Sequence, residues 1–188
     1  MNRAERRDRL AELIKQRALR FGEFSLASGQ TSSYYIDGKQ ISLHGEGLYL
    51  LASLILDDLA PQVEAVGGMT LGADPIAGAV AALAAERGRD LAAFIVRKER
   101  KERGTRQQVE GPLHPGVRVA VLEDVMTTGG SALRAIEALQ REYQADIVQV
   151  IVMVDRLQGG RENLAAAGFA LTALFDVTDL GVMPEDTA

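Results

Sequence analysis

From Pro61 onward the chain repeats one unit: a short apolar run, a glycine-bearing turn, then apolar residues at helical spacing. Val63–Val66, Leu91–Val96, Val117–Leu122 and Ile147–Val154 read as strands, with Phe169–Phe175 as a last one. Helices are expected over Pro75–Arg87, Ala132–Tyr143 and residues 161–167, with turns at Gly67–Gly72 and Gln158–Gly160. Ala77, Gly78, Ala81 and Ala82 would let the first of these helices sit close to a sheet. Strands that alternate with helices imply a parallel sheet covered on both faces, which excludes most all-α and all-β architectures. The polar stretch RKERKERGTRQQVEGP, residues 97–112, reads as a mobile loop with a short hairpin.

The chain before Pro61 is of another kind. Residues 3–20 read as an amphipathic helix, with Leu10, Leu13, Ile14 and Ala18 on one face. Residues 21–43 mix Gly, Ser and aromatics in short alternating runs, which predicts turns and short strands. A second helix is expected over about 46–59. These features suggest one α/β domain over 1–188, with a core sheet and its helices over about 61–175 and a small N-terminal hood over about 1–45.

Charge and composition then exclude several functions. With 21 Lys+Arg against 26 Asp+Glu the net charge is −5, so a dedicated nucleic-acid binder, which needs a basic face, is not expected. Cysteine is absent, which rules out disulfides, thiolate nucleophiles and cysteine-ligated zinc. His44 and His114 are the two histidines, too few for a multi-histidine metal centre. No apolar run approaches a membrane span, and MNRAERRDRL is not a signal peptide, so a cytoplasmic protein without a membrane partner is expected.

Chemistry concentrates in VRVAVLEDVMTTGGSALRAIEAL, residues 117–139. A buried strand delivers Glu123 and Asp124 to its carboxyl end, where parallel α/β sheets bind ligands. Gly129 and Gly130 let backbone N–H groups approach an anion, and Thr127, Thr128 and Ser131 add hydroxyl donors. The helix that follows contributes open N–H groups and a favourable dipole. The result is a phosphate cradle beside two acids. It is neither a G-x-x-x-x-G-K-[ST] loop nor a G-x-G-x-x-G fingerprint, since neither pattern occurs in the chain.

That string resembles the phosphoribosyl-pyrophosphate signature of the type I phosphoribosyltransferases, and further segments point to the orotate branch of that family. FSLASGQTSSYYID at 24–37 resembles the opening segment of that branch, and VGGMTLGADPIAGA at 66–79 its pyrophosphate loop. FIVRKERKERG at 94–104 is similar to its catalytic loop, and VDRLQGG at 154–160 to a strand end near the base. The matches keep their order over about 24–160. The resemblance implies the type I phosphoribosyltransferase fold and the conversion of orotate and phosphoribosyl pyrophosphate to orotidine 5′-phosphate and pyrophosphate, in pyrimidine synthesis and with Mg²⁺.

It also implies residue roles. Glu123 and Asp124 would hold the ribose hydroxyls, and Val125, Met126, Thr127, Thr128, Gly129, Gly130 and Ser131 would carry the rest of the donor site around the 5′-phosphate. Arg97, Lys98, Lys101 and Arg103 would face the pyrophosphate, with Lys101 and Asp124 as the catalytic pair. Thr127 and Arg156 would bind orotate, Arg156 through its carboxylate. Mg²⁺ would bridge substrate oxygens with few or no direct protein ligands. In a homodimer, loop 98–105 would close over the neighbouring subunit's site. By strand alternation, both acids reach one sugar only if the strand has already broken into a loop at that point. The chain departs from common family patterns at Ala27, Gly72 and Arg103, where many relatives carry Lys, Lys and His.

Blander readings exist for single features. A charge run like RKERKER is often a solvated segment, Arg156 has an acid beside it in Asp155, and Tyr34 and Tyr35 suit a core as well as a base-stacking role. The rival functions are the same chemistry on a purine or uracil, and a regulator that senses phosphoribosyl pyrophosphate on the same fold.

Overall fold

The computed structural model describes residues 1–25, 31–99 and 107–184. Helix α1 (Arg3–Leu13) starts at a capping box: Glu5 N donates to Asn2 Oδ1 at 3.0 Å, and Asn2 N donates to the Glu5 carboxylate at 2.9 Å. It buries Leu10 and Leu13 and continues as one π-helical turn over Ile14–Ala18. The helix expected to residue 20 therefore ends at Ala18. Leu19 turns extended because it pairs with Ile36 across the hairpin of β1 (Leu19–Ser25) and β2 (Thr31–Ile36). Along β2 the side chains alternate, burying Ser32, Tyr34 and Ile36. A short helix α2 (Lys39–Ser42), absent from the sequence reading, follows. Then comes α3 (Gly45–Asp58), where His44 Nδ1 caps the first turn by accepting from Gly47 N at 3.2 Å.

The remaining elements are β3 (Ala65–Met69), α4 (Asp74–Glu86), β4 (Ala92–Val96), β5 (Val109–Glu110), β6 (Arg118–Met126), α5 (Gly130–Tyr143), β7 (Asp146–Asp155), α6 (Gly160–Ala166) and β8 (Leu171–Asp176). They form a six-stranded sheet in the order β5-β4-β3-β6-β7-β8. Every pairing is parallel except that of β5, which runs against β4 as a short hairpin. Both faces are covered. Ala120, Leu122, Ile151 and Met153 pack towards α1, α3 and α4, while Val119, Val121, Val150 and Val152 pack towards α5.

Two strand boundaries differ from expectation, each because of a neighbouring strand. Gly67 and Gly68, expected in a turn, lie inside β3. A Cβ on Gly67 would stand 2.0 Å from the Phe94 carbonyl oxygen, and one on Gly68 would stand 2.1 Å from that of Leu122. These glycines are there because β3 is squeezed between its neighbours, not because the chain turns. Likewise β6 does not end at Leu122. Its ladder with β7 runs on through Glu123↔Val152 and Val125↔Val154 to Met126↔Asp155, so the turn begins at Thr127.

Candidate active site

Because β6 stays regular through the acids, Glu123 and Asp124 point to opposite faces of the sheet. They nevertheless line one cavity of about 330 Å³. The paired ladder between β3 and β6 reaches only to Gly67↔Val121, with Gly68 still pressed on the Leu122 carbonyl, so the acids lie past the end of that pairing. The expectation that the strand must break for both acids to share a site is thus corrected: what ends is the pairing between strands, not β6.

Asp124 faces the hood. Its Oδ1 accepts from Val125 N at 2.9 Å. The carboxylate is wedged between two glycines: a Cβ on Gly38 would lie 2.5 Å from Oδ2, and one on Gly72 would lie 2.5 Å from Oδ1. Burial raises the pKa of Asp124, against the pull of the Val125 N–H and of Lys39. Glu123 faces α5, where Ser131 bonds it and the charge of Arg134 favours its ionised form. Burial, and next the charge of Asp124, outweigh these and push its carboxyl up to about 8. Among the described residues, Glu123 Oε2 is buried with no hydrogen-bond partner. A buried acceptor left unpaired in its own fold is positioned for something the protein does not itself supply.

The turn after β6 has the build expected of an anion cradle. Gly129 has φ of +77°, a conformation that favours glycine, and it opens α5 with no side chain capping the helix. The free N–H groups of that first turn face the same end of the sheet as the acids. Thr127 and Thr128 are exposed, and Asn163 Nδ2 fixes the loop by donating to Thr128 O at 2.9 Å. Arg134 Nη2 donates to Ser131 Oγ at 3.2 Å.

Of the residues expected in the site, the cavity gathers Lys98, Glu123, Asp124, Val125 and Ser131. The Met126 side chain is buried beneath Gly160, and its carbonyl accepts from Arg156 N at 2.9 Å. Arg97 pairs with Glu110 at 3.0 Å beside β5. Lys101 and Arg103, with most of loop 98–105, and Ala27 lie outside the described residues. Arg156, just past β7, is 3% exposed and reaches into the hood. Its guanidinium lies over the Tyr34 ring at 4.4 Å, Nε donates to Tyr34 Oη at 3.3 Å, and Nη2 donates to Ser32 Oγ at 3.1 Å. Asp155 points elsewhere, accepting from Leu157 N at 2.9 Å and pairing with Arg161 at 3.4 Å.

Sequence reasoning missed Lys39, Thr70 and Gly38. Lys39 and Thr70 line the cavity, and Thr70 Oγ1 donates to Asp74 Oδ2 at 2.6 Å, tying the turn after β3 to α4. The available signal for the hood pair was D-G-K at 37–39, which begins on the last residue of the opening segment.

The phosphoribosyl transferase domain model matches residues 50–175. The orotate phosphoribosyltransferase of Synechocystis sp. is 48% identical over 94% of this chain and 89% of its own length. That of Aquifex aeolicus is 46% identical over 93% and 97%. Among solved structures, Mycobacterium tuberculosis H37Rv orotate phosphoribosyltransferase in complex with 5-phospho-α-D-ribosyl 1-diphosphate superposes with a TM-score of 0.78 and 35% identity. That match covers 94% of this chain and 99% of the other.

Proposed function

The chain belongs to the orotate phosphoribosyltransferases of the type I phosphoribosyltransferase fold, and we propose that the cavity at the end of β6 is where it joins orotate to phosphoribosyl pyrophosphate. The products are orotidine 5′-phosphate and pyrophosphate, a step of pyrimidine synthesis. The carrying observation is that two carboxylates and the uncapped N-terminus of α5 meet past the end of the β3–β6 pairing.

In this reading the open N–H groups and hydroxyls of Thr127–Ser131 hold the 5′-phosphate. That leaves the ribose over Glu123 and Asp124, whose carboxyl groups bond its hydroxyls. As pyrophosphate departs, carbon 1 becomes cationic and the orotate ring nitrogen attacks. The protein's work is to position the partners, stabilise the separating charges and keep water away from the donor. Lys98 faces the leaving pyrophosphate, and the loop carrying Lys101 and Arg103 closes over it. The guanidinium of Arg156 offers a planar fork to the orotate carboxylate, and Ser32 and Tyr34 keep it oriented.

The hard oxygen donors of Glu123 and Asp124, one of them without a partner among the described residues, fit a Mg²⁺ carried on substrate oxygens beside them. Such an ion would supply charge neutralisation of the pyrophosphate. We further propose that 1–188 acts as one cytoplasmic domain in a homodimer, with loop 98–105 reaching across.

The direct test follows orotate absorbance with phosphoribosyl pyrophosphate and Mg²⁺, with uracil, adenine and hypoxanthine as controls. Orotate-dependent turnover supports the reading, and turnover with another base alone refutes it. Arg156→Ala should raise the orotate KM while leaving the donor KM near wild type, and Arg156→Lys should recover part of the loss. For the dimer, mixing Lys101→Ala with Asp124→Asn subunits should restore activity in heterodimers. Folded heterodimers that stay inactive would exclude action in trans.

A further inference from the structure

The donor carries its greatest charge in the pyrophosphate, and the cavity wall holds two acids, Glu123 and Asp124, so its cations matter for binding. Among the described residues, the cations that line it are Lys98, just past β4, and Lys39 on α2. Lys39 enters from the hood. Its Nζ stands 2.8 Å from Asp37 Oδ1, and the side chain is 46% exposed, so a ligand can reach it. An ammonium has three N–H donors, so Lys39 can keep Asp37 and still bond phosphate oxygens.

The position of this lysine is not a loose surface accident. Gly38, the residue before it, packs against the Asp124 carboxylate so closely that a Cβ there would stand 2.5 Å from Oδ2. The backbone carrying Lys39 is therefore seated against one of the ribose acids. Opposite it, the turn Thr70–Gly72 forms another part of the wall, and Gly72 brings no side chain that could carry charge to the same space. Asp124 favours the charged form of Lys39, and Lys39 the charged form of Asp124, in line with this proximity.

We infer that Lys39 is a donor-binding residue, which reaches from the hood to hold the pyrophosphate group of phosphoribosyl pyrophosphate opposite the turn at 70–72. This rests on the proposed function. It makes the hood a wall of the donor site as well as of the base site. It also assigns the cation of that wall to α2 rather than to the turn after β3.

The test compares wild type, Lys39→Ala and Lys39→Arg by steady-state kinetics and by calorimetric titration with inorganic pyrophosphate and with phosphoribosyl pyrophosphate, all with Mg²⁺. Losing one charge-assisted contact should raise the donor KM and the pyrophosphate Kd about tenfold or more in Lys39→Ala. The orotate KM at saturating donor and the melting temperature should stay near wild type, and Lys39→Arg should bind pyrophosphate better than Lys39→Ala. Pyrophosphate binding by Lys39→Ala within twofold of wild type would overturn the assignment. So would equal losses for orotate and pyrophosphate, which mark a structural role. If wild type binds pyrophosphate but shows no orotate-dependent turnover, the proposed function fails while the titrations still decide on Lys39.

Discussion

Strand β6 carries charged residues at both ends, and the two ends treat them in opposite ways. At the amino end, Arg118 grips Glu64 with Nη2 at 3.1 Å and Nε at 3.2 Å, and its backbone N adds a third bond at 3.0 Å. Those bonds draw the Glu64 carboxyl down to about 2. At the carboxyl end, Glu123 is held up to about 8 by burial and by Asp124, and one of its oxygens has no partner among the described residues. A charge satisfied inside the fold has little left to offer a ligand. One that the fold leaves unsatisfied costs stability and is retained where a ligand completes it. The amino end is therefore read as scaffold and the carboxyl end as site.

The largest effect that sharpens this contrast is expected from Asp124→Asn. The fold should persist, while kcat/KM for phosphoribosyl pyrophosphate falls by a factor corresponding to about 1.5–3 kcal/mol. Steady-state kinetics alongside thermal melting decides it; unchanged kinetics in a folded variant would break the contrast. A smaller loss, about tenfold by the geometric sensitivity of positioned groups, is expected for Gly72→Ala, because its new Cβ would push on Asp124 Oδ1. Gly78→Ala is the matched control. A Cβ there meets nothing within 4 Å, and the helix should gain roughly 0.5–1 kcal/mol with unchanged kinetics.

The acids also predict opposite pH responses. Glu123 has its folded pKa raised from 4.5 to about 8, so its contribution to stability is complete below the unfolded value and is lost as pH rises through about 8. Glu123→Gln should flatten the fall in melting temperature between acid and pH 8, read by calorimetry across that range. Glu64 is the reverse case. Its lowered pKa stabilises above 4.5, and that stabilisation is lost as pH falls towards about 2. Glu64→Gln should give the smallest effect: kcat/KM within about twofold of wild type, and a slight loss of melting temperature at neutral pH that vanishes at strong acid, as exposed pairs contribute little.

Much of the core was legible because it depends on local pattern. The apolar runs and helical spacings after Pro61 place the strands and helices of the sheet near their observed limits, and the glycines at 129 and 130 mark the turn into α5. What was not legible depends on distant neighbours. Gly67 and Gly68 look like a turn until Phe94 and Leu122 are known to press on them. Helix α1 gives way to β1 because Leu19 finds Ile36. The two acids line one cavity because the β3–β6 pairing ends before them, a property of a strand pair rather than of either segment. Lys39 escaped notice because D-G-K alone is a weak signal, and its meaning comes from Gly38 lying against Asp124.

The contacts of Arg156 with the hood have a consequence for the order of folding. They join residues 122 and 124 positions apart, linking β2 to the end of β7. A two-stranded hairpin is marginal in isolation, and closing so long a segment is entropically costly until the intervening sheet has formed. The hairpin leaves the ribosome early, yet one of its anchors arrives only after β7 is made. The hood's link to the end of β7 is thus secured late, and a nascent chain arrested before residue 156 would leave Tyr34 uncovered by that guanidinium.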